Sequence, residues 1–180
     1  MTVPPIQAAT RLVPVTVTYL AMRERACLPP EKPQVPTGAA VQLLRPCPLA
    51  DYRMLYDKVG SPWHWLERKR MGDPQLQAIL DDPRVEVHLL TVNGRAAGYA
   101  ELDSRRDSTV DLAYFGIMPE YIGHKLGPWL PYEAVERAWT KRPVVVTVNT
   151  CTLDHPAALP LYQRLGFRPI GERSIYFDIG

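Results

Sequence analysis

The stretch best suited to chemistry is Ile122-Gly123-His124-Lys125-Leu126-Gly127. It joins a β-branched and aromatic run, Val110 to Pro119, to an apolar pattern at helical spacing: Leu126, Leu130, Ala134 and Ala138, with Trp129 and Val135 beside them. The spacing predicts strand, tight turn and helix. A helix N-terminus facing the end of a strand has free backbone N–H groups and the positive end of the helix dipole. That is a seat for a phosphate.

Leu12 to Tyr19 alternates as a strand, and Pro14 predicts an edge position or a late start. Residues 1–10 read as a loose tail, and Leu28 to Gly38 as a proline-rich connector. Val41 to Arg45 is a short strand. Tyr52, Leu55, Tyr56 and Val59 predict a helix that Gly60 closes. Ser61-Pro62-Trp63 reads as the cap of a new helix ending near Gly72, and Asp73-Pro74 starts another through Leu80. Val85–Val92, a hairpin turn at Asn93-Gly94, Ala96–Leu102 and Val110–Ile117 form an antiparallel meander. Val144–Val148 is apolar and β-branched, as for a buried strand beside parallel neighbours. His155–Leu165 reads as a helix stopped by Gly166, and Phe167–Ile179 holds one or two closing strands. The class is α+β through the meander and α/β after it.

Bulk properties exclude several functions. At 180 residues the chain is most simply one domain, with 1–38 as tail, extra strand and loop, and 39–180 as the main domain. A net charge of +2 with no Lys/Arg block argues against nucleic acid. No apolar run approaches the ~20 residues of a spanning helix. No charged start, apolar core and cleavage site are present, so no signal peptide is expected. Cys27, Cys47 and Cys151 are odd in number and lack metal-ligand spacing, which fits a reduced, cytoplasmic setting.

Three pieces resemble the GNAT superfamily of N-acetyltransferases, over about Val41 to Tyr176. Phe115-Gly116-Ile117-Met118-Pro119-Glu120-Tyr121 with its glycine loop and helix looks like the family's fourth strand, pyrophosphate loop and third helix. Leu161-Tyr162-Gln163-Arg164-Leu165-Gly166-Phe167 looks like its LYEKLGF segment. Asn93-Gly94 with Gly98-Tyr99 is similar to its second hairpin.

The resemblance implies a mixed, mostly antiparallel central sheet with helices on both faces. It implies a splay between the fourth and fifth strands, here Phe115–Ile117 and Val146–Asn149, with the N-terminal strand as an addition. That extra strand is expected to pair at an edge or between subunits of a homodimer. The implied co-substrate is acetyl-coenzyme A, without a metal, and the implied acceptor is a small-molecule amine. The coenzyme would be held by Phe115, Gly116, Ile117, Ile122, Gly123, His124, Lys125, Leu126, Gly127, Asn149 and His155. Tyr162 stands where the family places the acid that protonates the leaving thiolate. Asp111, and less so Glu101, are the candidate general bases on neighbouring strands. The family's acceptor region falls on Tyr52, Tyr56, Trp63, His64 and Trp65. Such aromatics suit a flat or cationic molecule, and at helical spacing they also suit a core. His88 reads as structural, His155 as a helix-cap residue as well as a coenzyme neighbour, and Cys151 as an inert thiol near the reaction centre.

The loop departs from the family pattern. Ile122 stands where Gln or Arg is usual and Lys125 where the middle glycine is usual. Pro128 removes a backbone donor, and Pro131 leaves the Gly127 carbonyl without its helical partner. These departures leave open a non-catalytic acyl-coenzyme A sensor or interaction module.

Overall fold

The computed structural model describes residues 11–180; the expected N-terminal tail lies outside the described residues. Strands β1 (Leu12–Met22), β2 (Ala39–Leu43), β3 (Val85–Val92), β4 (Arg95–Asp103), β5 (Thr109–Ile117), β6 (Val145–Cys151) and β7 (Arg168–Asp178) form one sheet in the order β2-β3-β4-β5-β6-β1-β7. Every neighbouring pair is antiparallel except β5 and β6. The meander turns at Asn93 and Gly94, both with positive φ, as its residue types predict. One closing strand is present, β7.

The extra strand exists, but not at an edge. β1 lies inside the sheet, with Val17–Met22 against β6 and Leu12–Ala21 against β7. Pro14 falls beyond the end of the β6 ladder, where β7 is its strand neighbour, so its missing N–H breaks no bond to β6.

Helices cover both faces. On one, α4 (Leu126–Thr140) and α5 (Ala158–Arg164) bury Leu130, Val135, Ala138 and Tyr162 against Leu90, Leu102 and Val146. On the other, α1 (Leu49–Gly60) and α3 (Asp73–Leu80) bury Tyr52, Leu55, Tyr56 and Leu80 against Val87 and Tyr99.

Two helical expectations change. The segment after Gly60 is not one helix. Ser61–Trp63 makes a single 3-10 turn, His64 turns left-handed at φ 54, and a one-turn α2 (Glu67–Arg70) follows. The reversal lays Trp65 on the bare Cα of Gly60, where a Cβ would meet its ring at 2.6 Å. Packing of the half-buried indole against Gly60 and Tyr56 overrides local helix preference. The helix expected from His155 begins at Ala158, because Pro156 disfavours helical backbone at His155. His155 instead accepts a hydrogen bond from the Ala157 N–H at its Nδ1, 3.0 Å away.

Gly166 closes α5 at φ 98, pressed against the connector that follows β1: a Cβ there would lie 2.0 Å from the Cys27 carbonyl oxygen. Gly166→Ala combines a left-handed backbone with a clash against main chain. It should lower stability by roughly 2 kcal/mol or more, read as a shift in the urea midpoint. A change within a few tenths would refute this packing.

Candidate active site

The ladder between β5 and β6 runs only from Thr109–Val145 to Asp111–Thr147. Beyond it the strands diverge, and β6 is held on its far side by β1. The β6-facing peptide groups of β5 from Leu112 onward therefore have no strand partner, and unpaired main-chain groups seek one. A cleft of about 380 Å³ opens there. At one end lies the N-terminus of α4. Lys125 is its N-cap with φ 62 and makes no side-chain cap. The N–H groups of Leu126 and Gly127 are thus first-turn donors without a helical acceptor. A Cβ on Gly123 or Gly127 would meet nothing within 4 Å, so the space over this loop is open. Open space, free N–H donors and the dipole's positive end fit a phosphate-bearing ligand.

The cleft gathers Phe115, Gly116, Ile117, Ile122, Gly123, Gly127, Asn149, His155 and Tyr162 from the expected site. Leu126 is buried in the core and offers its backbone alone. His124 and Lys125 are exposed on the loop, outside the cleft lining. Tyr162 packs edge-on against Phe115 and Phe167. Burial, then the charges of Asp154 and Asp111, push its hydroxyl above the ordinary phenol range, so it keeps its proton. Cys151 lines the cleft, and burial with Asp154 pushes it up, so it stays a thiol.

Asp111 is elsewhere. It accepts a hydrogen bond from Thr147 Oγ1 at 2.6 Å in a separate groove with Asp103, Arg105 and Arg106. The reason is a β-bulge. Glu101 pairs with Tyr114 but Leu102 pairs with Leu112, so Ala113 is the extra residue. Strict alternation would put Asp111 and Phe115 on one face. The bulge puts Asp111 with Tyr114 on the α1 face and Phe115 with Tyr162 on the other. His88 is also remote: with Lys141 it binds Glu86, and these hydrogen bonds hold the Glu86 carboxyl down to about 2.

Glu101 is fully buried beneath α1 and α2 and does not reach the cleft. Its carboxylate accepts hydrogen bonds from Arg68 Nη2 at 2.6 Å and Tyr52 Oη at 2.5 Å. Burial pushes this carboxyl up, against the pull of Arg68. Tyr52 is therefore core. Tyr56, Trp63, His64 and Trp65 do line the cleft. The Arg68 guanidinium lies 5.2 Å from the Tyr114 ring centre. Tyr114 donates to Glu67 Oε2 at 2.7 Å, and burial keeps its phenol protonated. Trp65 reaches across the splay and donates from Nε1 to Asp154 Oδ1 at 3.2 Å. Among the cleft residues that reading the sequence missed are the polar side chains of Glu67, Tyr114 and Asp154. Glu67 sits in the charged run Glu67-Arg68-Lys69-Arg70, which has the pattern of a solvated face.

Among the described residues, no group of three or more His, Cys, Asp or Glu side chains could hold a metal ion. Nor is any helix among them long and apolar enough to cross a membrane.

Arg68→Ala leaves a carboxylate buried without its cation. It should cost about 3–5 kcal/mol, measured by urea unfolding, whereas Arg68→Met with Glu101→Leu should recover most of that loss. Equal losses in the two variants would show that the pair itself is not what anchors α2.

Comparison with known proteins places this geometry. The model of the acetyltransferase (GNAT) family matches residues 51–167. A GCN5-related N-acetyltransferase from Sphaerobacter thermophilus superposes with a TM-score of 0.68 at 18% identity, covering 94% of this chain and 53% of that one. One from Kribbella flavida gives 0.63 at 16% identity, covering 94% and 59%. A tandem GNAT protein from the clavulanic acid biosynthesis pathway gives 0.59 at 16%, covering 94% and 54%. At these identities the likeness is one of fold, and the chain spans only about half to three fifths of their lengths. No curated protein matches in sequence. The family model runs from within α1 past the end of α5, including the splay and the uncapped N-terminus of α4, and by that match the chain belongs to the acetyltransferase (GNAT) family.

Proposed function

We propose that the chain transfers an acetyl group from acetyl-coenzyme A to a primary amine by direct attack in a ternary complex. The observation that carries this is the splay itself: one cleft joins an uncapped helix N-terminus, unpaired β5 peptide groups and a protonated tyrosine. The Leu126 and Gly127 N–H groups receive the pyrophosphate. The β5 edge pairs with the pantetheine arm, and an N–H at Phe115 or Ile117 polarises the thioester carbonyl. Asn149 and His155 flank the arm from the β6 side. The names of the structural neighbours, N-acetyltransferases, point the same way.

The neutral amine nitrogen bonds to the thioester carbon as the C–S bond breaks. The nitrogen sheds one proton and the sulfur gains one, from the Tyr162 hydroxyl. Because Asp111 lies in another groove, the reading gives the proton-accepting role to Glu67, which Tyr114 orients. Bulk water then restores both groups.

A second reading is favoured by the loop. Ile122, Lys125 and Pro128 replace residues that usually help hold the pyrophosphate, which suits a coenzyme sensor without turnover.

Calorimetric titration should show saturable acetyl-coenzyme A binding, and no heat at millimolar ligand would overturn both readings. Tyr162→Phe should cut kcat about tenfold or more with unchanged coenzyme affinity. Thiol release that is absent from wild type across a broad amine panel would leave the sensor. The raised position of Tyr162 fixes the sign of the pH dependence. Its acid form persists past an ordinary phenol's value of about 10, so kcat should rise as the amine deprotonates and show no fall between pH 9 and 10. A fall there that Tyr162→Phe abolishes would refute the protonated assignment.

A further inference from the structure

β1 does more than fill the sheet. Its register pairs Val15 with Ile175 and Val13 with Phe177. Residues directly opposite in an antiparallel pair share a face. Val15, Val17, Ile175 and Phe177 accordingly line the same cleft as Tyr162. The cleft is thus walled on one side by a four-residue apolar surface from β1 and β7. On the other side stand Tyr56, Trp65 and Tyr114, whose ring centres lie 5.1 to 5.5 Å apart.

The charges in this chamber are sparse and unequal. Asp154 already accepts three hydrogen bonds, from Trp65 Nε1, Thr150 Oγ1 and the Cys151 N–H. Glu67 accepts one, from Tyr114, and makes no ion pair among the described residues. At the β7 end, Arg70 donates to the Asp178 carbonyl at 2.9 Å and its guanidinium lies 6.0 Å from the Phe177 ring centre. Arg70 is also paired with the Asp178 carboxylate at 3.9 Å, so the β7 end holds no free carboxylate for a cation, and Glu67, the carboxylate with fewest partners, suits one ammonium. A volume of about 380 Å³, shared with the thioester arm, fits a small molecule.

We infer that the acceptor is a primary monoamine on an aryl or branched apolar body, with its nitrogen toward Glu67 and its body against the wall made by β1 and β7. This rests on the acetyl-transfer reading for its chemistry, but the binding it asserts does not need turnover. A polyamine or aminoglycoside would bring several ammonium groups to a chamber where Glu67 has room for one and the other carboxylate, Asp154, is already engaged by three donors. Burying the unmatched charges against Val15, Val17 and Phe177 is costly.

The test separates the two claims. Titrate 2-phenylethylamine, isopentylamine, spermidine and kanamycin into the protein by calorimetry, with and without saturating coenzyme A. Then measure thiol release from acetyl-coenzyme A with each amine. 2-Phenylethylamine should bind at least about tenfold tighter than spermidine or kanamycin. Glu67→Gln should weaken it about tenfold. Phe177→Ala should do the same while leaving acetyl-coenzyme A affinity unchanged. Val17→Thr, which keeps the shape and adds a hydroxyl, should raise KM for 2-phenylethylamine several-fold and covers the case that Phe177→Ala unfolds. Equal or tighter binding of spermidine or kanamycin overturns the inference and leaves acetyl transfer standing. So does a KM for 2-phenylethylamine unmoved by both wall variants. Selective 2-phenylethylamine binding without acetyl-coenzyme A binding supports the chamber and sinks the transfer reading.

Discussion

The ion pair between Arg68 and Glu101 decides where the α2 side of the cleft stands. A carboxylate with no solvent exposure must be paired or neutral. Glu101 lies on β4, in the middle of the sheet, so its cation has to come from an element packed directly above. That element is α2, a single turn of four residues. A turn this short has too few internal hydrogen bonds to hold itself in place. Arg68 ties it to β4, and the Arg68 N–H bonded to Tyr56 Oη ties it to α1. Glu67 and Trp65, one and three residues away, take their positions from that anchor. Tyr52 and Tyr114 close the network around the same guanidinium.

The opening between β5 and β6 depends on a different constraint, the failure of two parallel strands to stay paired. After three residue pairs β5 and β6 part. β6 does not swing back because β1 engages it from Met22 to Val17 on the other side. Bonding β6 to β1 satisfies one edge of β6 and leaves the other facing the cleft. The same β1 then carries Val15 and Val17 into the chamber. The strand that holds the splay open therefore also furnishes part of its lining, and the two roles cannot be altered separately by moving β1.

Much of this was legible in the sequence, for local reasons. Asn93-Gly94 demanded a hairpin because both residues accept positive φ, and Gly166 marked the end of α5 for the same reason. The apolar repeat from Leu126 to Ala138 wrote α4 directly. What escaped was non-local. Alternation made β1 a strand but could not name its neighbours, so an edge was expected where the sheet has an interior. Asp111 was a candidate base from its place on a meander strand beside Glu101's, and that place could not show the bulge at Ala113 that shifts the parity of β5. Arg68 and Glu67 sat in one charged run and carried no sign that one would be buried and the other would face a cleft. Tyr162 was found through a matched segment, and Asp154 could have been suspected only from its place after β6.

The altered loop is the remaining tension, and the geometry resolves part of it. Pro128 falls at the third position of α4, where an N–H has no helical acceptor in any case, so the helix loses no bond. Pro131 frees the Gly127 carbonyl, which is still in the first turn, while its own ring is buried among the core residues of α4. Lys125 is the stranger substitution. It takes a left-handed backbone that costs a non-glycine residue about 1–2 kcal/mol. It also sets a cation at the helix end where the dipole is already positive, which is unfavourable by several tenths of a kcal/mol. An anion at the Leu126 and Gly127 N–H groups reverses the sign of that second term and draws Lys125 toward it. A cation that is costly at a bare helix start and favourable beside a bound anion makes the stability of this loop depend on what binds there.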